Sequence, residues 1–546
     1  MKRYIMKAIA PAMIGLLSCG GMTSCVSDLD NAPISPKIDT EVSLDGLFNK
    51  CYANFAIAGN GSSASGDDDC DVKGYNDAGM TGLVRLMWNL NELTTDEAIC
   101  SWGDNGVPAL NFNTYDNANG MTKAYFARLT LGISSCNQYL SVASGEDATK
   151  IAEVRFLRAM QYYLLMDAFG NVPFAEAVEK PVQKSRKDMY EWLVNELTTN
   201  VEPNLSEPKP KTSADSGYGR VDKAACWMLL TKLYLNAEIY TGQTEWQKAK
   251  EYANKVMTSG YELNEEGEGQ WSAYQMLFMG DNGETRAAKE CLFPIIQNTK
   301  TVVSYGNSFF LVASTFNGDM HANPNDLEGT NGCVSAQWAG NRARPELIKK
   351  FFPNSTAPEV PSYMMTTEAN DDRAIFCGEK RNGINIDNYT EFKDGYGVCK
   401  FINYTTNGST SYNPAFTDAD YFFMRVAEAY LSYAEADAHL NGGKTSTEGT
   451  KAINALRERA NATTRDNSSS YSLNEICDEW SREFYFEGLR RTTLIRFNRY
   501  GGNSDYKWQW KGGDKDGKNF DATKNIFAIP VNELQANGNL HQNPGY

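Results

Sequence analysis

The chain has few histidines, no excess of basic charge and, beyond its first residues, no apolar run long enough to span a membrane. Its three histidines, His321, His439 and His541, stand far apart, which disfavours a histidine-based active site or a zinc centre. Asp and Glu (68) outnumber Lys and Arg (52), giving a net charge of −16. An acidic surface cannot neutralise phosphates, so nucleic acid is not an expected partner. The 12 cysteines contain no CxxC pair, and most are interpreted as small buried hydrophobic residues.

Motifs of known catalytic sites are also missing, since the sequence has neither HExxH nor GxSxG. The segment "GGKTS" at 442–446 is similar to the end of a phosphate loop, but the required first glycine would fall at Ala438, inside a helical pattern. The segment "GDDDCDVKG" at 66–74 has Val72 where a calcium-binding EF-hand loop requires glycine. Carboxylates are abundant, so an acid pair of a glycoside hydrolase stays open as an alternative.

The N-terminus is typical of a bacterial export signal. "MKRYIMKAIAPAMIGLLSC" has a basic start and a short apolar run that Pro11 interrupts. "GMTSC" then places small residues before Cys25, which resembles a lipobox, where cleavage before the cysteine precedes acylation of its thiol. Cys19 is a competing site, and an ordinary secretory signal is the alternative. We predict a signal peptide over residues 1–24, lipidation of Cys25, and a tether over residues 25–40.

Helical patterns dominate the chain after the tether. "ATKIAEVRFLRAMQYYLLMDAFGNVPF" has apolar residues at helical spacing, and Gly170 and Pro173 end the pattern. "DKAACWMLLTKLYLNAEIY" and "TEWQKAKEYANKVMTSGYEL" have the layout of a tetratricopeptide helix hairpin, in which small residues let paired helices approach closely. "DYFFMRVAEAYLSYAEADAHLNGG" and "TEGTKAINALRERANA" form a second such pair. The patterns predict a mainly α-helical repeat fold.

Between about residues 261 and 420 the helical periodicity weakens, and Gly, Asn, Thr and Asp become more frequent. Long irregular stretches of a compact protein often carry binding sites. No linker separates this stretch from the rest, so we predict one domain over residues 41–546 with a loop-rich insertion at about 261–420. The turn "SWGDNG" is unusual because it places Trp102 where an indole has little apolar company.

Several blocks along the whole chain resemble the SusD/RagB family of Bacteroidota outer-membrane lipoproteins and keep that family's order. They are "CVSDLDNAP", "NELTTDEA", "AEVRFLRAMQYYLLMDAFGNVPF", "GRVDKAACWMLLTKLYLNAEIYTG", "FMRVAEAYLSYAEA", "REFYFEGLRRTTLIRF", "FAIPVNEL" and "QNPGY". The segments "NELTTDE", "YTGQT" and "WQWKGG" look like its starch-binding branch. The resemblance implies about four tetratricopeptide-like hairpins and a loop-rich ligand region. It also implies a non-catalytic surface protein that captures oligosaccharides, from starch or another α-glucan, for a SusC-like TonB-dependent transporter.

The resemblance further implies a set of sugar-binding residues. Trp102 and Asn105 match an aromatic residue that stacks on the sugar and its amide partner. Arg85 in "GLVRLMWN" matches an arginine that binds hydroxyls, and Tyr305 in "SYGNSFFLV" matches a tyrosine of the same arc. Such a set suits a sugar, because an aromatic side chain covers the apolar face of the sugar while polar side chains bond its hydroxylated rim. For each ring the alternative is a hydrophobic anchor tucked into the protein.

One residue of that arc departs from the starch-binding pattern. A tryptophan follows "TNG" in the pattern, whereas this chain has Cys333. Trp338 lies five residues further on and would replace it if the loop folds back. The departure leaves open another glucan, a fructan or a different glycan. A surface-anchored glycoside hydrolase and a helical-repeat adaptor that binds only protein are the alternatives of other classes.

A structural calcium site is also implied by the starch-binding branch. Asp281 in "FMGDNG" and Asp418 with Asp420 in "FTDADYFF" are the matching carboxylates. Calcium prefers such hard oxygen ligands, and an ion held by these distant segments would pin loops to the helical body. The alternative is that these loops are acidic and solvated.

Overall fold

Helices are the main regular elements of the structure, a computed structural model that describes residues 43–59, 70–77, 79–324, 332, 334–409 and 413–546. Within these residues no helix is both long and apolar enough to cross a membrane. The helices are α1 (Leu44–Ala56), α2 (Leu83–Glu92), α3 (Val107–Asn111), α4 (Gly120–Val142), α5 (Ala148–Phe169), α6 (Arg186–Glu196), α7 (Lys223–Leu235), α8 (Ala237–Thr241), α9 (Trp246–Met257), α10 (Ser308–Ala313), α11 (Pro345–Phe351), α12 (Ser362–Ala369), α13 (Ala427–Leu440), α14 (Thr447–Arg459), α15 (Leu473–Phe484), α16 (Arg490–Arg496) and α17 (Val531–Ala536).

The strands are short and pair only two at a time in the described part of the chain. Each pair is antiparallel, and the pairs are β1 with β5, β2 with β3, β4 with β8 and β6 with β7. Two of these pairs, β1 with β5 and β4 with β8, join segments far apart in sequence, so they hold loops together rather than form a sheet core. The strands are β1 (Ala98–Cys100), β2 (Val172–Phe174), β3 (Val182–Lys184), β4 (Cys291–Ile295), β5 (Asn341–Ala343), β6 (Phe376–Cys377), β7 (Gly397–Val398) and β8 (Tyr421–Arg425).

Neighbouring helices pack as pairs, as the repeat pattern predicts. Helix α4 packs on α5, α7 on α9, α13 on α14 and α15 on α16, and α13 also packs on α9. Fully buried alanines, such as Ala225 on α7 and Ala249 on α9, let these helices approach closely. Between α9 and α13, Lys250 donates to Asp437 at 2.7 Å. The predicted mainly α fold class is therefore confirmed, and the two hairpins predicted from sequence correspond to α7–α9 and α13–α14.

Helix α5 begins and ends where the sequence signals place it. Its N-cap is Asp147, whose side chain accepts a hydrogen bond from the backbone N–H of Thr149 at 3.0 Å. It ends at Gly170, which adopts φ 70° and donates its N–H to the carbonyl of Met166. Glycine adopts a positive φ without steric cost, so the helix stops here.

A buried ion-pair cluster fastens the irregular segments to the helices. Glu483 on α15 contacts Arg425 on β8 at 2.6 Å and Arg373 at 3.3 Å, and it also pairs with Arg459 on α14. Glu290 accepts from Arg425 at 2.9 Å and from Arg459 at 2.8 Å. Burial by itself raises the pKa of Glu483, but the arginines, Arg459 foremost, lower it to about 2. No local sequence pattern marks this cluster.

Candidate functional site

The pairing of β1 with β5 brings the two candidate tryptophans together. The chain that leaves β1 stays beside the chain that enters β5, because Ser101 donates its N–H to the carbonyl of Gly340 at 3.0 Å. The Ser101 hydroxyl also donates to the carbonyl of Ala339 at 2.9 Å. Trp102 directly follows Ser101, and Trp338 directly precedes Ala339. The two tryptophans are 236 positions apart in sequence. Their proximity therefore depends on a strand pair that no local sequence pattern reveals.

The two tryptophans contact each other edge to face and are both half-buried. Their ring centroids lie 6.2 Å apart with an interplanar angle of 62°. The indole N–H of Trp102 donates to the backbone carbonyl of Trp338 at 3.1 Å. Gly340 lies flat against the Trp102 indole, so that a β-carbon at this position would overlap with the ring. The loop thus folds back as the sequence analysis required for Trp338 to replace a missing tryptophan.

A continuous row of rings extends from the tryptophan pair to Tyr305. Trp338 contacts Phe309 at a centroid separation of 5.4 Å, and Phe309 contacts Tyr305 at 5.5 Å. Tyr305 also lies 4.8 Å from Phe416. Phe309 is buried, whereas Tyr305 is half-buried like the tryptophans. The structure therefore gathers Trp102, Trp338 and Tyr305 into one aromatic row, which we call the primary ring row.

Arg85 on α2 lies beside the first ring of this row. Its guanidinium carbon is 5.9 Å from the ring centroid of Trp102 and 5.0 Å from that of Phe310, within cation–π range. Asp77 and Asp104 approach the guanidinium at 4.0 Å and 3.8 Å, beyond hydrogen-bonding distance. Both carboxylates are about half exposed, at 50% and 48%, and can accept bonds from hydroxyls. Neither carboxylate was predicted as a site residue, although Asp104 lies in the same turn as Trp102.

Asn105 lies at the exposed edge of the turn, next to the start of α4. Its side-chain amide nitrogen is so close to Gly120 that a β-carbon there would lie 3.0 Å away. Gly106, with φ 95°, then turns the chain into α3. Asn105 is thus an exposed residue three positions after Trp102, with its amide against Gly120.

Three of the sequence predictions lie outside the described residues. They are the signal peptide over residues 1–24, the lipidated Cys25 with its tether over residues 25–40, and Cys333. Cleavage, lipidation and the consequence of the cysteine at position 333 therefore stay predictions.

The three candidate calcium ligands line one polar cavity of about 450 Å³. Asp281 accepts from the hydroxyl of Thr406 at 2.7 Å, while its other carboxylate oxygen is buried without a hydrogen-bond partner among the described residues. Asp420 accepts from the hydroxyl of Tyr218 at 2.6 Å, and burial raises its pKa to about 7. Among the described residues, however, no group of three His, Cys, Asp or Glu side chains is arranged to hold a metal ion. Calcium binding at Asp281, Asp418 and Asp420 stays a prediction.

Known proteins are similar to this chain in both sequence and fold. A model of the SusD family matches residues 334–546, and one described as "Starch-binding associating with outer membrane" matches residues 79–267. The chain is 35% identical to the starch-binding protein SusD of Bacteroides thetaiotaomicron, over 100% of this chain and 99% of that protein. The chain belongs to the SusD family.

More distant SusD-like proteins also match nearly the whole chain. SusD-like protein P2 of Formosa agariphila is 25% identical over the full length of both proteins. The crystal structure of a SusD homolog from Bacteroides thetaiotaomicron covers 92% of this chain and 96% of its own, with a TM-score of 0.64 and 17% identity. At that identity the structural match supports the fold alone.

Membership of the SusD family decides the broad functional class. Proteins of this family are non-catalytic and bind glycans. The chain is therefore a glycan-binding protein and not an enzyme, and the alternative of a glycoside hydrolase is wrong.

Proposed function

We propose that this protein captures oligosaccharides at the cell surface by stacking sugar rings on the primary ring row. The observation that carries the proposal is the half-exposed, edge-to-face pair of Trp102 and Trp338, with Arg85 beside it. Rigid aromatic side chains lose little conformational entropy when they bind. Because the two indole planes differ by 62°, successive sugars of a curved chain can each face a different ring.

The glycan proposed is starch or another α-glucan. Support comes from the 35% identity over the whole chain to a protein named as starch-binding and from the angle between the two indoles, which suits a chain that curves. Around the rings, the guanidinium of Arg85, the amide of Asn105 and the carboxylate of Asp104 would bond sugar hydroxyls. A fructan is the alternative ligand, since the arc of this chain departs from the starch-binding pattern at Cys333.

We further propose that the protein is anchored to the outer membrane through Cys25 and passes its glycan to a SusC-like TonB-dependent transporter. The lipobox-like "GMTSC" supports the anchor. The description of the family that matches residues 79–267 supports association with the outer membrane. Co-purification of such a transporter with the tagged, membrane-extracted protein would support the partnership.

Replacing the first ring of the row tests the proposed site. We expect Trp102→Ala to weaken retention on starch in affinity electrophoresis by about tenfold, because a centrally placed aromatic side chain carries much of the binding energy. Trp338→Ala should act in the same direction. Amylopectin, dextran, levan and inulin, each cast in a separate gel, would identify the glycan.

The matched control is Trp246→Ala. Trp246 is also half-buried, but it stacks on His439 in the helical scaffold, with ring centroids 4.0 Å apart. Retention should match the wild type, and thermal melting of each variant would show that the fold persists. If folded Trp102→Ala and Trp338→Ala variants bind every retained glycan as strongly as the wild type, the site is wrong.

A further inference from the structure

A second group of aromatic side chains lies outside the primary ring row. Phe112, Tyr389 and Trp510 come from three distant segments and contact one another mutually. Their ring centroids are separated by 5.0 Å, 5.6 Å and 6.1 Å, and each residue is half-buried. We call this group the second ring cluster. Three adjoining rings that are each partly exposed form a contiguous apolar patch, and such a patch often marks a binding site.

The backbone of Trp510 adopts a conformation that is unfavourable for a bulky residue. Its φ of 68° and ψ of 9° lie in the left-handed region, where a large side chain is a genuine outlier. Its indole N–H donates to the carbonyl of Ile386 at 2.9 Å. Because this bond turns the polar edge of the indole towards the protein, the exposed part of the ring is carbon. Strained residues of this kind concentrate at ligand-binding sites.

Polar groups surround the second ring cluster. Asp387 pairs with Lys515 at 2.8 Å, and their side chains are 74% and 46% exposed. Asn388 is exposed between Asp387 and the tyrosine of the cluster. An apolar ring surface edged by a carboxylate, an ammonium and an amide matches a pyranose, which has an apolar face and a hydroxylated rim.

Strand β5 connects the second ring cluster to the primary ring row through hydrogen bonds of two buried arginines. Arg342 on β5 is fully buried and donates to the carbonyl of Tyr389 at 2.7 Å. Arg344, directly after β5, is also fully buried. It donates to the carbonyl of Gln509, the residue before Trp510. The loop that carries Trp338 leads directly into this strand. Both aromatic surfaces are therefore connected to the same strand.

We propose that the second ring cluster is a second sugar-binding surface, which stacks on a part of the glycan chain beyond the primary ring row. This proposal rests on the proposed function, since the ligand is the same polysaccharide. Two sites on one protein act together on a glycan chain that reaches both, because binding at the first raises the effective concentration at the second. An oligosaccharide that only covers the primary ring row gains nothing from the second ring cluster.

The test compares a long glycan with a short one. Trp510→Gly removes the ring and suits the left-handed backbone, since glycine adopts a positive φ without cost. We expect this variant to bind amylopectin about fivefold more weakly than the wild type, while its affinity for maltotriose, measured by calorimetry, is unchanged. Trp510→Phe, which keeps an aromatic ring, should recover most of the amylopectin affinity.

Tyr389→Ala is the second variant, and it decides the outcome if Trp510→Gly does not fold. Trp102→Ala should weaken the binding of both amylopectin and maltotriose. This difference from the variants of the second ring cluster separates the two proposals. Wild-type amylopectin affinity in folded Trp510→Gly and Tyr389→Ala overturns the second ring cluster and leaves the proposed function standing. Equal losses for amylopectin and maltotriose also overturn it, because the cluster would then belong to the primary site. A wild-type protein that binds no glycan overturns both proposals.

Discussion

At the scale of single residues, the position of the Trp102 indole depends on Gly340, the residue that it packs against. Gly340 lies against the indole, and its lack of a β-carbon leaves room for the ring. Gly340 does not adopt a positive φ, so its backbone would tolerate alanine. Any effect of such a substitution therefore arises from the contact with the indole. This makes Gly340 a probe of ring position that does not itself offer a group to a sugar.

Gly340→Ala should displace the indole of Trp102 and weaken glycan binding by about threefold to tenfold, because the added methyl group overlaps with the ring. Affinity for the retained glycan measures the effect, and tryptophan fluorescence would report the moved ring. The control is Gly103→Ala, since a β-carbon at Gly103 meets no atom within 4 Å. Equal binding by both alanine variants would contradict the proposed role of the indole position.

At the scale of elements, paired helices depend on small residues at their contacts. On α4, Gly132 faces Gln161 of α5 and Asn54 of α1, and a β-carbon at Gly132 would overlap with both side chains. Gln161 and Asn54 are buried and share a hydrogen bond of 2.8 Å. An added methyl group would force this pair apart in a region with no space to relax.

We expect Gly132→Ala to lower the free energy of unfolding by about 1–3 kcal/mol, the usual cost of overpacking a core. Denaturation in urea, followed by circular dichroism, measures the change. Ser134→Ala, on the exposed side of the same helix, should stay within about 0.5 kcal/mol of the wild type. A Gly132→Ala variant as stable as the wild type would show that α4 and α5 are not closely packed here.

At the scale of the whole molecule, buried charges connect loops to the helical body. Glu483 has a pKa of about 2, below its ordinary value of 4.5. A carboxyl with a lowered pKa stabilises the fold fully above its ordinary value, and this contribution is lost as the pH falls from about 4.5 towards 2. Protonation of Glu483 in acid should thus weaken the ion-pair cluster and promote unfolding.

Glu483→Gln should lower the free energy of unfolding at pH 7 by about 3–5 kcal/mol, because it leaves buried arginines without their partner. It should also make stability depend less on pH between 4.5 and 2. Urea denaturation at several pH values tests both expectations. The control is Glu448→Gln, since Glu448 is 62% exposed and pairs with Lys451 on the surface. A Glu483 variant whose acid unfolding matches the wild type would contradict this account.

The sequence by itself determined the class of fold and the family. Helical periodicity and the Gly170 stop are local signals, because they depend on residues a few positions apart, and the small residues of α7 and α9 recur within the same periodic pattern. Glycan binding and the absence of catalysis also followed from sequence, through blocks that match the SusD family. The turn at Trp102 already marked one candidate ring.

Only the tertiary structure decided which residues share a surface. The contact of Trp102 with Trp338 spans 236 positions and depends on the pairing of β1 with β5. The second ring cluster and the buried pairs of Glu483 likewise join segments that no local pattern connects. The physical reason is that side-chain contacts across such separations depend on how the elements pack, whereas a sequence pattern reports only the preference of each element for its own conformation.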